Sequence, residues 1–140
     1  MEINVHKVAG DASPFKMEAV NGQGKKVVID ASSSIGGKED GFRPMEIMLA
    51  GLAGCSGIDI LSMLEKGRQK VTDFQVRVNA DRADTDPKVF TRIGIHYTVK
   101  GEVTDKRMQT AVDLSIEKYC SVAAMLSKTA KIEATYEIKT

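Results

Sequence analysis

The sequence predicts an α+β fold, an antiparallel sheet packed with one long central apolar helix. Three observations carry this. Several segments alternate apolar and polar residues with the two-residue period of strands. One stretch, Pro44 to Lys66, is apolar on nearly every face and free of internal proline. Read along the chain, the order is β-β-β, α, β-β, α(α), β. No repeat, low-complexity segment or linker divides it, so residues 1–140 are expected to form a single domain.

Ile3-Asn4-Val5-His6-Lys7-Val8 and Phe15-Lys16-Met17-Glu18-Ala19-Val20 alternate as strands do. Asn21-Gly22-Gln23-Gly24 is a turn, and Lys25 to Ala31 resumes with β-branched residues, which predicts a hairpin. Ser32 to Gly41 reads as an exposed loop. Pro44 suits the first position of a helix and Glu46 the third, while Lys66-Gly67 suits its end. The result is a helix of about 23 residues, roughly 35 Å long. Its charges are Glu46, Asp59, Glu65 and Lys66. A soluble helix of this kind is expected to be buried all round.

Val71 to Asn79 and Val89 to Val99 predict a second hairpin across the charged Asp84-Thr85-Asp86-Pro87 stretch. Thr104 is a good N-cap for a second helix with Met108, Val112, Ile116 and Tyr119 on one face. That helix either runs on through Leu126 or breaks so that a new one begins at Ser121. Ile132 to Ile138 is the last strand. A chain this short has little material to wrap the long helix, so an intertwined homodimer is expected.

Net charge is +1 and no basic–aromatic run occurs, which argues against nucleic acid as a partner. The start, Met-Glu-Ile-Asn-Val-His-Lys, lacks signal-peptide features, and no uninterrupted apolar run suggests a membrane span. A cytoplasmic protein is expected.

Chemistry centres on the only two cysteines, Cys55 and Cys120, far apart in sequence. They admit three readings: inert core residues, a structural disulfide, or a redox pair. A reducing cytoplasm disfavours the second. Gly51, Gly54 and Gly57, with Ala50, Ala53 and Ser56, make a trough around Cys55, suited to close helix packing or to access by a substrate or second sulfur. If a helix begins at Ser121, its N-terminus would favour a Cys120 thiolate. Glu46 precedes Cys55 by nine residues, which places it on the opposite side of the same helix, roughly 13–14 Å along its axis. It would act through a bridging side chain or from a partner subunit, or simply favour the helix start. His6 and His96 form no local ligand pair with the cysteines, so neither a metal nor a bound cofactor is expected. Nucleotide-binding and serine-hydrolase motifs are missing.

The segment Arg43-Pro44-Met45-Glu46-Ile47-Met48-Leu49-Ala50-Gly51-Leu52-Ala53-Gly54-Cys55 resembles the Pro-x-Glu-Leu-Leu-Leu-Ala-Ala-Leu-Gly-Gly-Cys motif of the OsmC-like, organic hydroperoxide resistance family. Tyr119-Cys120-Ser121-Val122 resembles that family's second cysteine segment, often Cys-Pro-Val. The resemblance implies an OsmC-like fold, an intertwined homodimer with sites at the subunit interface, and thiol peroxidase activity on organic hydroperoxides in oxidative stress defence. It implies Cys55 as peroxidatic thiolate, Cys120 as resolving thiol and an external dithiol as reductant, with Glu46 a further candidate catalytic residue that could hold a cation beside the thiolate. The alternative is a non-catalytic protein of this fold that binds a small molecule or a partner. Two positions depart from the family pattern. Met45 stands where a glutamate usually follows the proline, and no arginine precedes Arg43. Lys7 and Lys16 are the candidates for that arginine's part, although lysine cannot reproduce a bidentate guanidinium.

Overall fold

The computed structural model describes all 140 residues, and the backbone sorts into two compact units, Met1–Met48 and Leu49–Thr140. The first holds a three-stranded antiparallel sheet in the order β1 (Ile3–Lys7), β2 (Met17–Asn21), β3 (Lys26–Ile29). The predicted turn closes β2 and β3 through Asn21, whose Oδ1 accepts the backbone N–H groups of Gln23 and Lys25. The loop beyond β3 is organised by Asp30, which is 1% exposed. Its carboxylate takes the hydroxyl of Ser13 and the N–H groups of Ala31, Lys38 and Asp40. These bonds, that from Ser13 foremost, hold the Asp30 carboxyl down to about 2. Glycine is required at Gly41, where a Cβ would sit 2.5 Å from the Val28 carbonyl oxygen.

The predicted long helix is α1 (Pro44–Lys66), with both bounds where the proline and the Lys66-Gly67 pair put them. Glu46 reaches back and accepts the Arg43 N–H at 2.8 Å, a side-chain cap that satisfies a free helix-start donor.

From Leu49 onward the second unit adds β4 (Lys70–Arg82), β5 (Phe90–Glu102), α2 (Asp105–Leu114), α3 (Ser121–Leu126) and β6 (Lys131–Lys139). Thr104 caps α2 as expected, accepting from Arg107 N–H. The sheet order is β4-β5-β6. The β4–β5 hairpin is antiparallel, whereas β6 runs parallel to β5, pairing Arg92 with Lys131 through Lys100 with Lys139. The connection through α2 and α3 carries the chain back to the starting end of β5, as parallel neighbours require.

β5 supplies the core. Ile93, Ile95, Tyr97 and Val99 alternate inward and are at most 1% exposed, and Phe90 at the strand's start is 4% exposed. Leu52, Ile60 and Leu64 of α1 are buried in the same unit, as are Met108, Ala111 and Val112 of α2. A Cβ at Gly57 would stand 3.3 Å from the Phe74 ring and 3.6 Å from Val76, so this glycine lets α1 approach β4 closely.

The expected all-round burial of α1 is not met within one chain. Ile58 is 71% exposed and Leu61 38%, and a Cβ at Gly51 or Gly54 would meet nothing within 4 Å. The helix has one buried stripe because a single sheet and two short helices cover only that side. By length and composition alone, an 18-residue stretch of α1 with mean hydropathy 1.8 would suit a membrane span, a test that the core helix of a soluble protein also passes. Its buried stripe nevertheless makes it the core helix of its unit.

Candidate thiol site

Cys55 lies mid-way along α1, half-buried, with Asp59 one turn further on the same face. The neighbouring Ser56 turns inward. Its hydroxyl donates to the Leu52 carbonyl at 2.8 Å and accepts from the Tyr97 hydroxyl at 2.7 Å. This chain of bonds fixes α1 against β5 next to the cysteine. Burial pushes the Tyr97 phenol up to about 12, so it remains a neutral donor.

Cys120 arrives by a different local device. After α2 the chain makes a wide π-helical turn over Ser115–Tyr119, closed by the Cys120 N–H on the Ser115 carbonyl at 2.7 Å. Cys120 itself is extended (φ −71°, ψ 107°), and α3 starts at Ser121. Of the two sequence alternatives, the broken helix is therefore the one adopted. Such one-turn π insertions often re-aim a functional side chain. Here the turn points Sγ of Cys120 inward, where the residue is 2% exposed and accepts the Ala123 N–H at 3.3 Å.

The ligand-type atoms of Cys55, Asp59 and Cys120 all lie within 4.8 Å of one another. The two sulfurs are free thiols. Asp59 is held by Ser115, whose hydroxyl donates to Oδ2 at 3.1 Å, and has no ion-pair partner. A cavity of about 540 Å³ opens beside it, lined by Asp59, Ser62, Met63, Lys66, Leu114 and Tyr119.

The electrostatics differ from the expectation for Cys120. It does sit at a helix start, but burial outweighs the Ala123 amide and raises its thiol to about 11, the neighbouring Cys55 adding to the rise. Iodoacetamide at neutral pH is expected to label Cys55 at least about tenfold faster than Cys120. Cys120 labelling should climb as pH nears 11. Because the raised value belongs to the folded chain, the neutral thiol favours folding below its ordinary value of 9.0. That contribution fades as pH rises towards about 11, which urea midpoints at neutral pH and near pH 11 would read.

Sequence reasoning missed Asp59. Its signal was available, since it is the one carboxylate between Glu46 and Glu65 and follows Cys55 by one helical turn. Glu46 is not in the cluster of the two sulfurs and Asp59. Its carboxylate is engaged by Arg43, which also pairs with Glu39 at 2.8 Å. Lys16 pairs with Asp11 at 3.0 Å. His6 faces Glu18, and His96 lies 2.7 Å from Thr135 Oγ1.

Two sheets, a long helix bearing one cysteine and a second cysteine folded onto it define an α+β protein with a converged dithiol. The chain belongs to the OsmC-like family, whose sequence pattern, described as OsmC-like protein, matches residues 37–135. It is 42% identical over 116 residues to protein YhfA of Escherichia coli strain K12, covering 82% of this chain and 84% of YhfA. A hypothetical protein from Aquifex aeolicus VF5 has a similar crystal structure, with TM-score 0.83 and 31% identity over 99% of this chain and 95% of that one. An organic hydroperoxide resistance protein from Elizabethkingia anophelis shares the fold with TM-score 0.72 at 14% identity, over 99% and 97% of the two chains.

Proposed function

We propose that this chain is a thiol-dependent peroxidase that reduces organic hydroperoxides through Cys55 and Cys120. The observation that carries this reading is the convergence of two sulfurs remote in sequence, one half-buried and one buried. Membership of the OsmC-like family and the fold shared with an organic hydroperoxide resistance protein support it.

In the proposed cycle the Cys55 thiolate attacks the outer oxygen of ROOH. The O–O bond breaks, Cys55 becomes a sulfenic acid, and the alkoxide leaves and takes a proton to give the alcohol. The Cys120 sulfur then attacks the Cys55 sulfur. An S–S bond forms, and hydroxide leaves with the thiol proton as water. An external dithiol returns both cysteines to thiols and is itself oxidised. Cys120 need not be ionised at rest, because its proton leaves with the hydroxide.

The same reading takes the working unit as a cytoplasmic homodimer. The exposed Ile58 and Leu61 and the open glycines Gly51 and Gly54 support a second copy seated on α1.

One observation favours a non-catalytic binding role. An Asp59 carboxylate lies beside the sulfurs, an acceptor suited to holding a polar ligand there. The deciding experiment treats reduced protein with one equivalent of cumene hydroperoxide. A Cys55–Cys120 disulfide in the non-reduced peptide map, reversed by a dithiol, is the expected result. Two thiols left unchanged would overturn the peroxidase reading.

A further inference from the structure

The Cys55, Asp59 and Cys120 side chains have a second chemistry available to them. Two thiols and a carboxylate, whose ligand atoms lie within 4.8 Å of one another, are a sulfur-rich donor set with one hard oxygen. Sulfur-rich sets with one oxygen suit zinc and its tetrahedral relatives, whereas magnesium and calcium demand oxygen throughout. Around a tetrahedral zinc with Zn–S near 2.3 Å, neighbouring sulfurs stand about 3.8 Å apart. The sulfur pair is therefore no more than about 1 Å from closing on an ion, within the reach of small χ1 adjustments.

We propose that the reduced chain binds one thiophilic divalent cation of the zinc class through Cys55 Sγ, Cys120 Sγ and the Asp59 carboxylate. Three features beyond proximity argue for it. Cys55 and Asp59 occupy one face of α1 a turn apart, so the rigid helix presents both donors together. Ser115 donates to Asp59 Oδ2 at 3.1 Å, an outer contact of the kind that orients a ligating carboxylate and leaves its second oxygen for the ion. The cavity of about 540 Å³ beside Asp59 offers an access path and room for a water as fourth ligand.

On binding, both thiols lose their protons to solvent and two metal–sulfur bonds and one metal–oxygen bond form. Two thiolates, one carboxylate and one dication leave the site with a net charge of minus one. No oxidant or reductant is involved. The site needs only the reduced thiols, so it does not depend on peroxidase activity.

Cobalt(II) added to the reduced protein is the first probe. One equivalent per chain is expected to give an ultraviolet thiolate-to-cobalt band and intense visible bands of a tetrahedral ion, both removed by zinc. Asp59→Asn should weaken binding at least about tenfold, no less than the loss of an outer contact would cost. Cys120→Ser should lose most of the ultraviolet band. X-ray absorption on the zinc-loaded parent, which needs no variant to fold, should find two sulfurs and the rest oxygen in the first shell.

A first shell without sulfur, or no ultraviolet band in the reduced parent, overturns the site, and unchanged affinity in Asp59→Asn removes the aspartate from it. Because no readout uses peroxide turnover, cobalt bands without hydroperoxide consumption would leave this site standing and sink the peroxidase. Consumption without bands would do the reverse.

Discussion

Cys55→Ser is expected to lower hydroperoxide consumption, with a dithiol present, by at least about a thousandfold, to the rate of reductant and buffer alone. The substitution is nearly isosteric, so α1 and its Ser56–Tyr97 bond should survive it. What is lost is the nucleophile. A serine hydroxyl is not ionised near neutral pH, and its oxygen cannot accept the terminal peroxide oxygen as a sulfenic acid. Cys120→Ser should behave differently. Cys55 would still be oxidised once, giving a burst of about one alcohol per chain, and then stall for want of a resolving sulfur. Alcohol release followed over the first turnovers separates the two variants. Consumption unchanged in Cys55→Ser would remove that residue from the peroxidatic role.

The second large effect is on stability. Ile60 is fully buried on the inward stripe of α1, so Ile60→Ala should cost about 2–5 kcal/mol, combining lost transfer energy with the cavity left behind. Two residues earlier, Ile58 is 71% exposed within one chain. Ile58→Ala should leave the unfolding free energy of a single chain within about 0.5 kcal/mol of the parent. If α1 carries a second copy, the same substitution should instead weaken association. Urea midpoints measured at several protein concentrations read both. A loss under about 1 kcal/mol in Ile60→Ala would contradict the packing described.

Much of the fold was legible because its signals are local. Pro44 and Glu46 mark the start of α1 and Gly67 its end, and the structure puts the bounds at Pro44 and Lys66. Thr104 marked the start of α2. The alternating segments found their strands, since a two-residue period depends only on which side chains face one way. The same period is silent about partners. Nothing in Ile132 to Ile138 says that it lies parallel to β5, because that depends on the path taken through α2 and α3.

The burial of α1 shows a related limit. Composition gave its apolar character on every face, while a single chain supplies cover for only one stripe. The second-helix break was also ambiguous. The π-helical turn at Ser115–Tyr119 contains neither proline nor glycine, so local propensity left both alternatives open, and tertiary packing around Cys120 chose between them.

The sequence by itself determined the family, the long helix with Cys55 on it, and the candidate pairing with Cys120, all through residue patterns that act within a few turns of chain. Only the tertiary structure decided that the two sulfurs meet, that Cys120 is buried with its thiol raised to about 11, and that the Asp59 carboxylate lies beside them. The physical reason is range. Caps, periods and turns are fixed by neighbours a few residues away, whereas burial and electrostatics at a site depend on groups that only the folded chain brings within a few ångströms.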